Sequence, residues 1–229
     1  MGTSAAGTGQ WAAGSFIGGL APQTREALLA LGTRRSFPHG RHLLREGERT
    51  DHVEVLLHGI VKVSVIAEDI DVLLSIRGAG DVIGEMASLT GRSRTATVTT
   101  CGEVVATSIS HVNFDRFLGR HADAAVRMAA VMSERLEWSN ARRTDFAAYP
   151  AEVRLGRVLA SLASSCVLPT SAGTLIDVPL SQRELATMIG IAQPTVQKAV
   201  RKLRERHLIS TNYGRITIVD LPGLASLGA

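Results

Sequence analysis

The sequence predicts an α+β chain: an N-terminal β-roll of the jelly-roll (double-stranded β-helix) kind, a long dimerisation helix and a C-terminal winged helix-turn-helix. Three observations predict it. Short β-rich runs broken by glycine fill residues 37–110. A seven-residue repeat runs through residues 125–146. A capped helix, a glycine turn and a second, basic helix then occupy residues 181–205. At 229 residues the chain is long enough for one large domain or two small ones.

The first 18 residues, rich in glycine, alanine and serine, read as a disordered tail. A short helix is expected over residues 22–32, "PQTREALLALG". The roll, assigned to residues 19–121, follows from "VEVLLHGIVKVSVIAE", "DVLLSI" and "TATVTTCGEVVATSIS". β-Branched residues favour strands, and Gly59, Gly78, Gly80 and Gly102 punctuate them. Many short strands in about 75 residues make a small sandwich or jelly roll.

The period then changes, from about Val112 to Tyr149. Ala125, Ala129, Met132, Leu136, Ser139, Arg143 and Phe146 are spaced alternately four and three apart, as in a coiled-coil seam. This stretch, assigned to residues 122–149, is the expected dimer helix. Ser139, its neighbour Asn140, and Arg143 interrupt the apolar seam. Polar groups placed there need polar partners.

Pro150 marks the boundary of the last domain, residues 150–229, because proline suits a helix's first turn and not its interior. Val153, Leu155, Val158, Leu159 and Leu162 then form one face of an amphipathic helix. "TLIDVPL" reads as a strand. Ser181 and Glu184 have the spacing of a capping box, with Leu185, Met188 and Ile189 facing inward and Gly190 ending the helix. Pro194 opens the second helix; Val196, Val200 and Leu203 face inward, and Lys198, Arg201, Lys202 and Arg204 lie mostly outward. A hairpin around Asn212, Tyr213 and Gly214 completes a wing. A helix pair with a basic outer face suits a DNA major groove. Gln193, Thr195, Gln197 and Lys198 stand where base edges would be read; Arg201, a turn later, faces phosphate.

Charge supports two separate jobs. Residues 1–149 carry 16 Lys+Arg and 16 Asp+Glu and so net zero, while residues 150–229 carry 9 and 5, the whole +4. A basic second part suits a polyanion. No apolar run reaches the roughly 18 residues of a membrane span. No secretory signal opens the chain, and two cysteines make no disulfide framework, so a cytoplasmic setting is expected. No nucleophile–base set or metal cluster stands out, and no enzyme is expected. Seven histidines are scattered, with no evident haem pair.

With these elements in order, the chain resembles the cyclic-AMP receptor protein (CRP/FNR) family of bacterial transcription regulators, over nearly all of residues 20–220. Two motifs carry the resemblance. "IGEMASLTGRSRTA" looks like the family's phosphate-binding cassette, and "LSQRELATMIGIAQPTVQKAVRKL" looks like its helix-turn-helix. The resemblance implies an allosteric ligand, cyclic AMP with cyclic GMP possible, and no other cofactor. Glu85 would take the ribose 2′-hydroxyl. Arg94 would offer its planar fork to the cyclic phosphate, with Thr95 alongside. Gly84 and Ala96 are small enough to let backbone N–H groups come close to the anion, and Met86, beside Glu85, belongs to the same implied binding set. Ser139 and Asn140 would meet the base, one from its own subunit and one across the dimer. Gln182, at the start of the first helix, joins the implied DNA contacts, with Gln193 and Pro194. The implied partners are a palindromic operator in double-stranded DNA, a second copy of the chain and RNA polymerase. Family members that read a GTGA half-site carry arginine, glutamate and arginine where this chain has Gln193, Pro194 and Lys198, so a different half-site is expected. Two alternatives stand beside this reading: a regulator of the same family that binds no nucleotide or another ligand, and a cupin-like metal enzyme built on the roll.

Overall fold

The structure is a computed structural model and describes residues 11–163, 167–170, 173–176, 178–212 and 215–228. Residues 11–18 depart from the expected disordered tail. Phe16 and Ile17 are fully buried beside Leu28 and Phe114, and Trp11 Nε1 donates to Leu57 O at 3.2 Å. Each buried side chain of that size stabilises by about 1.5–3 kcal/mol, enough to fix a short segment.

The roll follows in chain order. Helix α1 (Pro22–Leu29) leads into β1 (Thr33–Phe37), β2 (His42–Leu44), β3 (His52–His58), β4 (Val61–Ala67), β5 (Ile70–Arg77) and β6 (Val82–Ile83). A short helix, α2 (Glu85–Thr90), precedes β7 (Thr97–Thr100) and β8 (Val104–Ser110). The strands form two antiparallel sheets, ordered β1-β8-β3-β6 and β2-β7-β4-β5. The two strands flanking Gly102 therefore part company, β7 joining one sheet and β8 the other. Leu44, Leu56, Ile83, Val98, Val104 and Ala106 meet between the sheets.

The stretch expected to run helically from Val112 is two helices, α3 (His111–Arg120) and α4 (Ala122–Ala148), separated by the extended backbone of His121. Two heptad stripes share α4, offset by one residue. The expected seam faces outward: Ala125, Ala129, Leu136, Ser139, Arg143 and Phe146 are exposed, and only Met132 is half-buried. The second stripe, Ala124, Met128, Val131, Arg135, Trp138, Arg142 and Asp145, faces the chain's own body.

Pro150 sits at the N-cap of α5 (Ala151–Leu162), where Leu155, Val158, Leu159 and Leu162 are buried. Strands β9 (Val167–Thr170) and β10 (Gly173–Ile176) precede α6 (Gln182–Ile189) and α7 (Gln193–Glu205). The wing strands β11 (Ile209–Asn212) and β12 (Arg215–Ile218) and a last turn, α8 (Leu221–Ala225), close the chain. These four strands form one sheet, ordered β11-β12-β10-β9. The hairpin tip at Tyr213 and Gly214 lies outside the described residues, as does Asp177 in the expected "TLIDVPL" strand. The capping box is formed: Ser181 Oγ accepts from Glu184 N at 3.1 Å, and Glu184 Oε2 accepts from Ser181 N at 2.8 Å. Gly190 takes φ 66°, the left-handed conformation that ends α6.

The last domain is docked on the roll through α6. Leu73 and Ile76 of β5 are buried in one cluster with Leu155, Leu185 and Met188. Leu73 N donates to Thr187 Oγ1 at 3.1 Å. Lys62 pairs with Glu184 at 2.6 Å and donates to Pro179 O at 2.6 Å.

Candidate ligand cavity and nucleic-acid interface

A cavity of about 400 Å³ lies between the roll, the 84–96 segment and α4. Gly84, Glu85, Met86, Arg94, Thr95, Ala96 and Ser139 all line it. That volume is in the range of small-ligand sites. Asn140 does not line it; it lies exposed, and its carbonyl accepts from Thr144 Oγ1 at 3.2 Å.

The cassette folds as it does because of Gly84 and Arg94. Gly84 has φ 82° and precedes α2. A Cβ there would stand 2.6 Å from Arg94 Nη1 and 2.9 Å from Leu44 Cδ1, so glycine is required both by conformation and by space. Arg94 is 3% exposed. Its Nη1 donates to Gly84 O at 2.7 Å, its Nε to Thr50 Oγ1 at 2.8 Å, and its Nη2 to His52 O. Burial pulls its pKa below the ordinary arginine value, and the carboxylates of Glu85 and Glu54 oppose that. Arginine keeps its charge regardless.

Glu85 is also buried, and its Oε1 accepts from Arg135 Nη1 at 2.6 Å. Arg135 reaches further, donating from Nη2 to Val82 O at 3.0 Å. So a residue of α4 holds the very carboxylate expected to meet the ribose. Arg135, Trp138 and Arg142 line the cavity too and were not singled out in the sequence. Their one trace in the sequence is the four-and-three spacing they share with Ala124, Met128 and Val131 on α4.

Behind the cassette, Glu54 of β3 is 1% exposed. Its Oε1 accepts from Ser108 Oγ at 2.6 Å, while Oε2 is buried with no partner among the described residues. Burial pushes its pKa up, against the Ser108 hydrogen bond and the charges of Arg35 and Arg94. His52 Nε2 lies 3.6 Å from Glu54 Oε1. Burial first, then Arg94, lowers the His52 pKa, so at neutral pH this contact joins a neutral imidazole to the carboxyl and is no ion pair.

At the other end of the molecule, Gln193, Pro194, Thr195, Gln197, Lys198 and Arg201 are all exposed on α7. Val196, Ala199, Val200 and Leu203 are buried beneath them. Gln182 is half-buried and shares a groove with Gln197, Arg201, Arg204, Asn212 and Arg215. Lys202 turns away from that surface to pair with Glu152 of α5 at 2.9 Å. The helix and wing therefore present one polar, mainly basic face. A metal enzyme on the roll would need clustered ligands; among the described residues no three His, Cys, Asp or Glu are grouped to hold a metal. No helix among the described residues is long and apolar enough to cross a membrane.

Two parts of the chain match known families. The cyclic nucleotide-binding domain family matches residues 34–121, and the Crp-like helix-turn-helix domain family matches residues 153–227. The chain is 26% identical over 208 residues to a "CRP-like cAMP-activated global transcriptional regulator" of Mycobacterium tuberculosis, covering 90% of this chain and 93% of the relative. It is 24% identical over 185 residues to the "cAMP-activated global transcriptional regulator CRP" of Escherichia coli, covering 80% and 87%. Among solved structures, FixK2 of Bradyrhizobium japonicum superposes with a TM-score of 0.73 at 17% identity, covering 86% of this chain and 98% of that one. The "c-di-GMP responsive global regulator CLP" of Xanthomonas campestris superposes with a TM-score of 0.69 at 20% identity, covering 86% and 99%. These structural likenesses establish the fold.

Proposed function

The chain belongs to the CRP/FNR family of transcription regulators, and from that footing we propose that it is a homodimeric regulator whose affinity for a palindromic operator is set by a 3′,5′-cyclic purine nucleotide. Cyclic AMP is the ligand that the names of its relatives carry. The observation that supports this most directly is the cavity wall, where Gly84, Glu85, Arg94 and Thr95 converge opposite Ser139 of α4. A carboxylate accepts from a ribose hydroxyl, and a guanidinium donates to phosphate oxygens. Asn140, exposed beside the outward seam, is the residue that would reach the partner subunit's nucleotide. The exposed face of α7, with Gln182 at the start of α6, would meet DNA. The protein would act in the cytoplasm, with RNA polymerase as its target at the promoter.

A second reading has its own observation. The Arg94 guanidinium already donates to three protein oxygens, and Glu85 is already paired with Arg135. A regulator that takes no nucleotide would keep these contacts permanently. Calorimetric titration of the purified protein with cyclic AMP and cyclic GMP separates the two. Saturable one-site binding of either supports the first reading, and no heat with either supports the second.

A further inference from the structure

Besides the cassette residues, the cavity is lined by Leu74, Ser75, Trp138, Ser139 and Arg142. Arg142 stands one heptad beyond Arg135 and three residues beyond Ser139, so it projects from the same side of α4. Its guanidinium lies over the Trp138 ring, 4.5 Å from the centroid. Nη1 donates to Leu74 O at 2.7 Å, and Nη2 donates to Met188 O. Nε is buried, and it has no acceptor among the described residues. No carboxylate among the described residues pairs with this guanidinium, whose pKa burial alone lowers. A buried donor without an acceptor is costly, and a ligand that supplied the acceptor would remove that cost.

We propose that Arg142 reads the base of the bound nucleotide and favours a purine bearing a 6-carbonyl. The proposal rests on the cavity being a nucleotide site. Arginine offers donors only. Guanine presents two acceptors, O6 and N7, on one edge, whereas adenine sets its N6 amino donors beside N7. A 6-oxo purine can therefore satisfy Nε–H and a spare Nη–H together. Adenine satisfies one and turns its amino group toward another donor. Trp138 holds the guanidinium plane from one side, so the donors keep a fixed direction. Where the names of the relatives favour adenine, this residue favours guanine. The same guanidinium holds Met188 O at the end of α6, so the group that reads the base also touches the DNA-binding domain.

The test uses the full-length protein and calorimetry with cyclic GMP, cyclic IMP, cyclic AMP and the cyclic nucleotide of unsubstituted purine. In Arg142→Gln the cyclic GMP to cyclic AMP affinity ratio falls at least tenfold, because glutamine pairs with adenine N6 and N7. An unchanged ratio overturns the assignment. In the unsubstituted protein cyclic IMP binds at least tenfold tighter than the unsubstituted-purine nucleotide, a comparison that needs no variant to fold. Equal affinities there overturn it as well. If the wild type binds no cyclic nucleotide at all, the nucleotide reading of the cavity fails and this inference with it. If nucleotides bind without 6-oxo preference, only the role of Arg142 fails.

Discussion

Replacing Arg94 by alanine tests the cassette on two scales at once. The side chain is 3% exposed and donates to Thr50 Oγ1, Gly84 O and His52 O, so its loss strands three acceptors inside the roll. Each buried acceptor left unpaired costs about 1–3 kcal/mol, so the three together cost about 3–5 kcal/mol after partial relaxation. For a protein of this size that lowers the roll's melting temperature by about 6–20 °C, at 2–4 °C per kcal/mol. Ligand adds a second quantity. A nucleotide at a hundred times its Kd stabilises by about 2.7 kcal/mol. If the proposed nucleotide binds, the wild-type melting temperature should rise by about 5–11 °C on the same conversion. In Arg94→Ala this rise should vanish, since the phosphate has lost its guanidinium. Thr95→Val separates the two effects: Thr95 is exposed and lines the cavity, so the variant should melt like wild type without ligand and show a smaller rise with it. The assay is calorimetric or fluorescence-monitored unfolding, with and without cyclic AMP. If Arg94→Ala melts at the wild-type temperature, or keeps the full ligand-induced rise, the account of the cassette is wrong.

Three further predictions follow from other parts of the molecule. Lys198→Ala should relax the preference at one base position of each half-site by about 1–3 kcal/mol, whereas Arg201→Ala should weaken all sequences alike and reduce the salt slope by about one per subunit; selection from a random pool with salt titration checks both, and identical selected half-sites for Lys198→Ala would remove it as a base reader. Glu54 has a folded-state pKa above its unfolded value, so it destabilises progressively as pH rises from the ordinary carboxylate range through the raised pKa; Glu54→Gln should melt higher than wild type at neutral pH, with the gap closing toward pH 4, and a pH-independent gap would rule out ionisation as the cause. Lys62 and Glu184, 2.6 Å apart with side chains 18% and 27% exposed, should show a double-mutant coupling of about 1 kcal/mol in unfolding, and a coupling of zero would mean that the ion pair does not hold the docked domain.

What the sequence revealed depended on whether apolar residues carried the pattern. The outward seam of α4 was legible as a period of seven, and the capping box at Ser181 fixed the start of α6 to the residue. The inward stripe passed unread because Arg135, Arg142 and Asp145 occupy three of its seven positions, and apolar periodicity is blind to charged residues. Their partners and that of Trp138 come from Val82, Glu85, Leu74, Ser161 and Arg157, far away in sequence, so only the folded chain brings them together. Phe16 and Ile17 were missed for a related reason: two apolar residues among glycine, alanine and serine set up no period. The cassette was legible as a motif, with its carboxylate and guanidinium nine residues apart. That both were already bonded within the protein was not, because the competitors, Arg135 and the backbone carbonyls, belong to no motif.

The inward stripe also explains how a ligand and an operator could be linked through one helix. Along α4, Arg135 holds the cassette through Glu85, and Trp138 Nε1 donates to Ser161 Oγ of α5 at 3.2 Å. Arg142 then joins β5 to α6, and Asp145 accepts from Arg157 Nε of α5 at 3.1 Å. Four consecutive positions of the inward stripe thus bind, in order, the 84–96 segment, the first helix of the DNA-binding domain, the roll together with the helix-turn-helix, and the first helix again. A ligand that drew Glu85 or Arg142 into new contacts would change what α4 holds at the other positions of the same rigid helix. Coupling of this kind needs differential contacts at both sites and a shared element between them, and α4 supplies the shared element. Its strength is measurable as the ratio of operator affinities with and without nucleotide, which Arg135→Met should bring toward one if Glu85 is the point where the ligand takes hold.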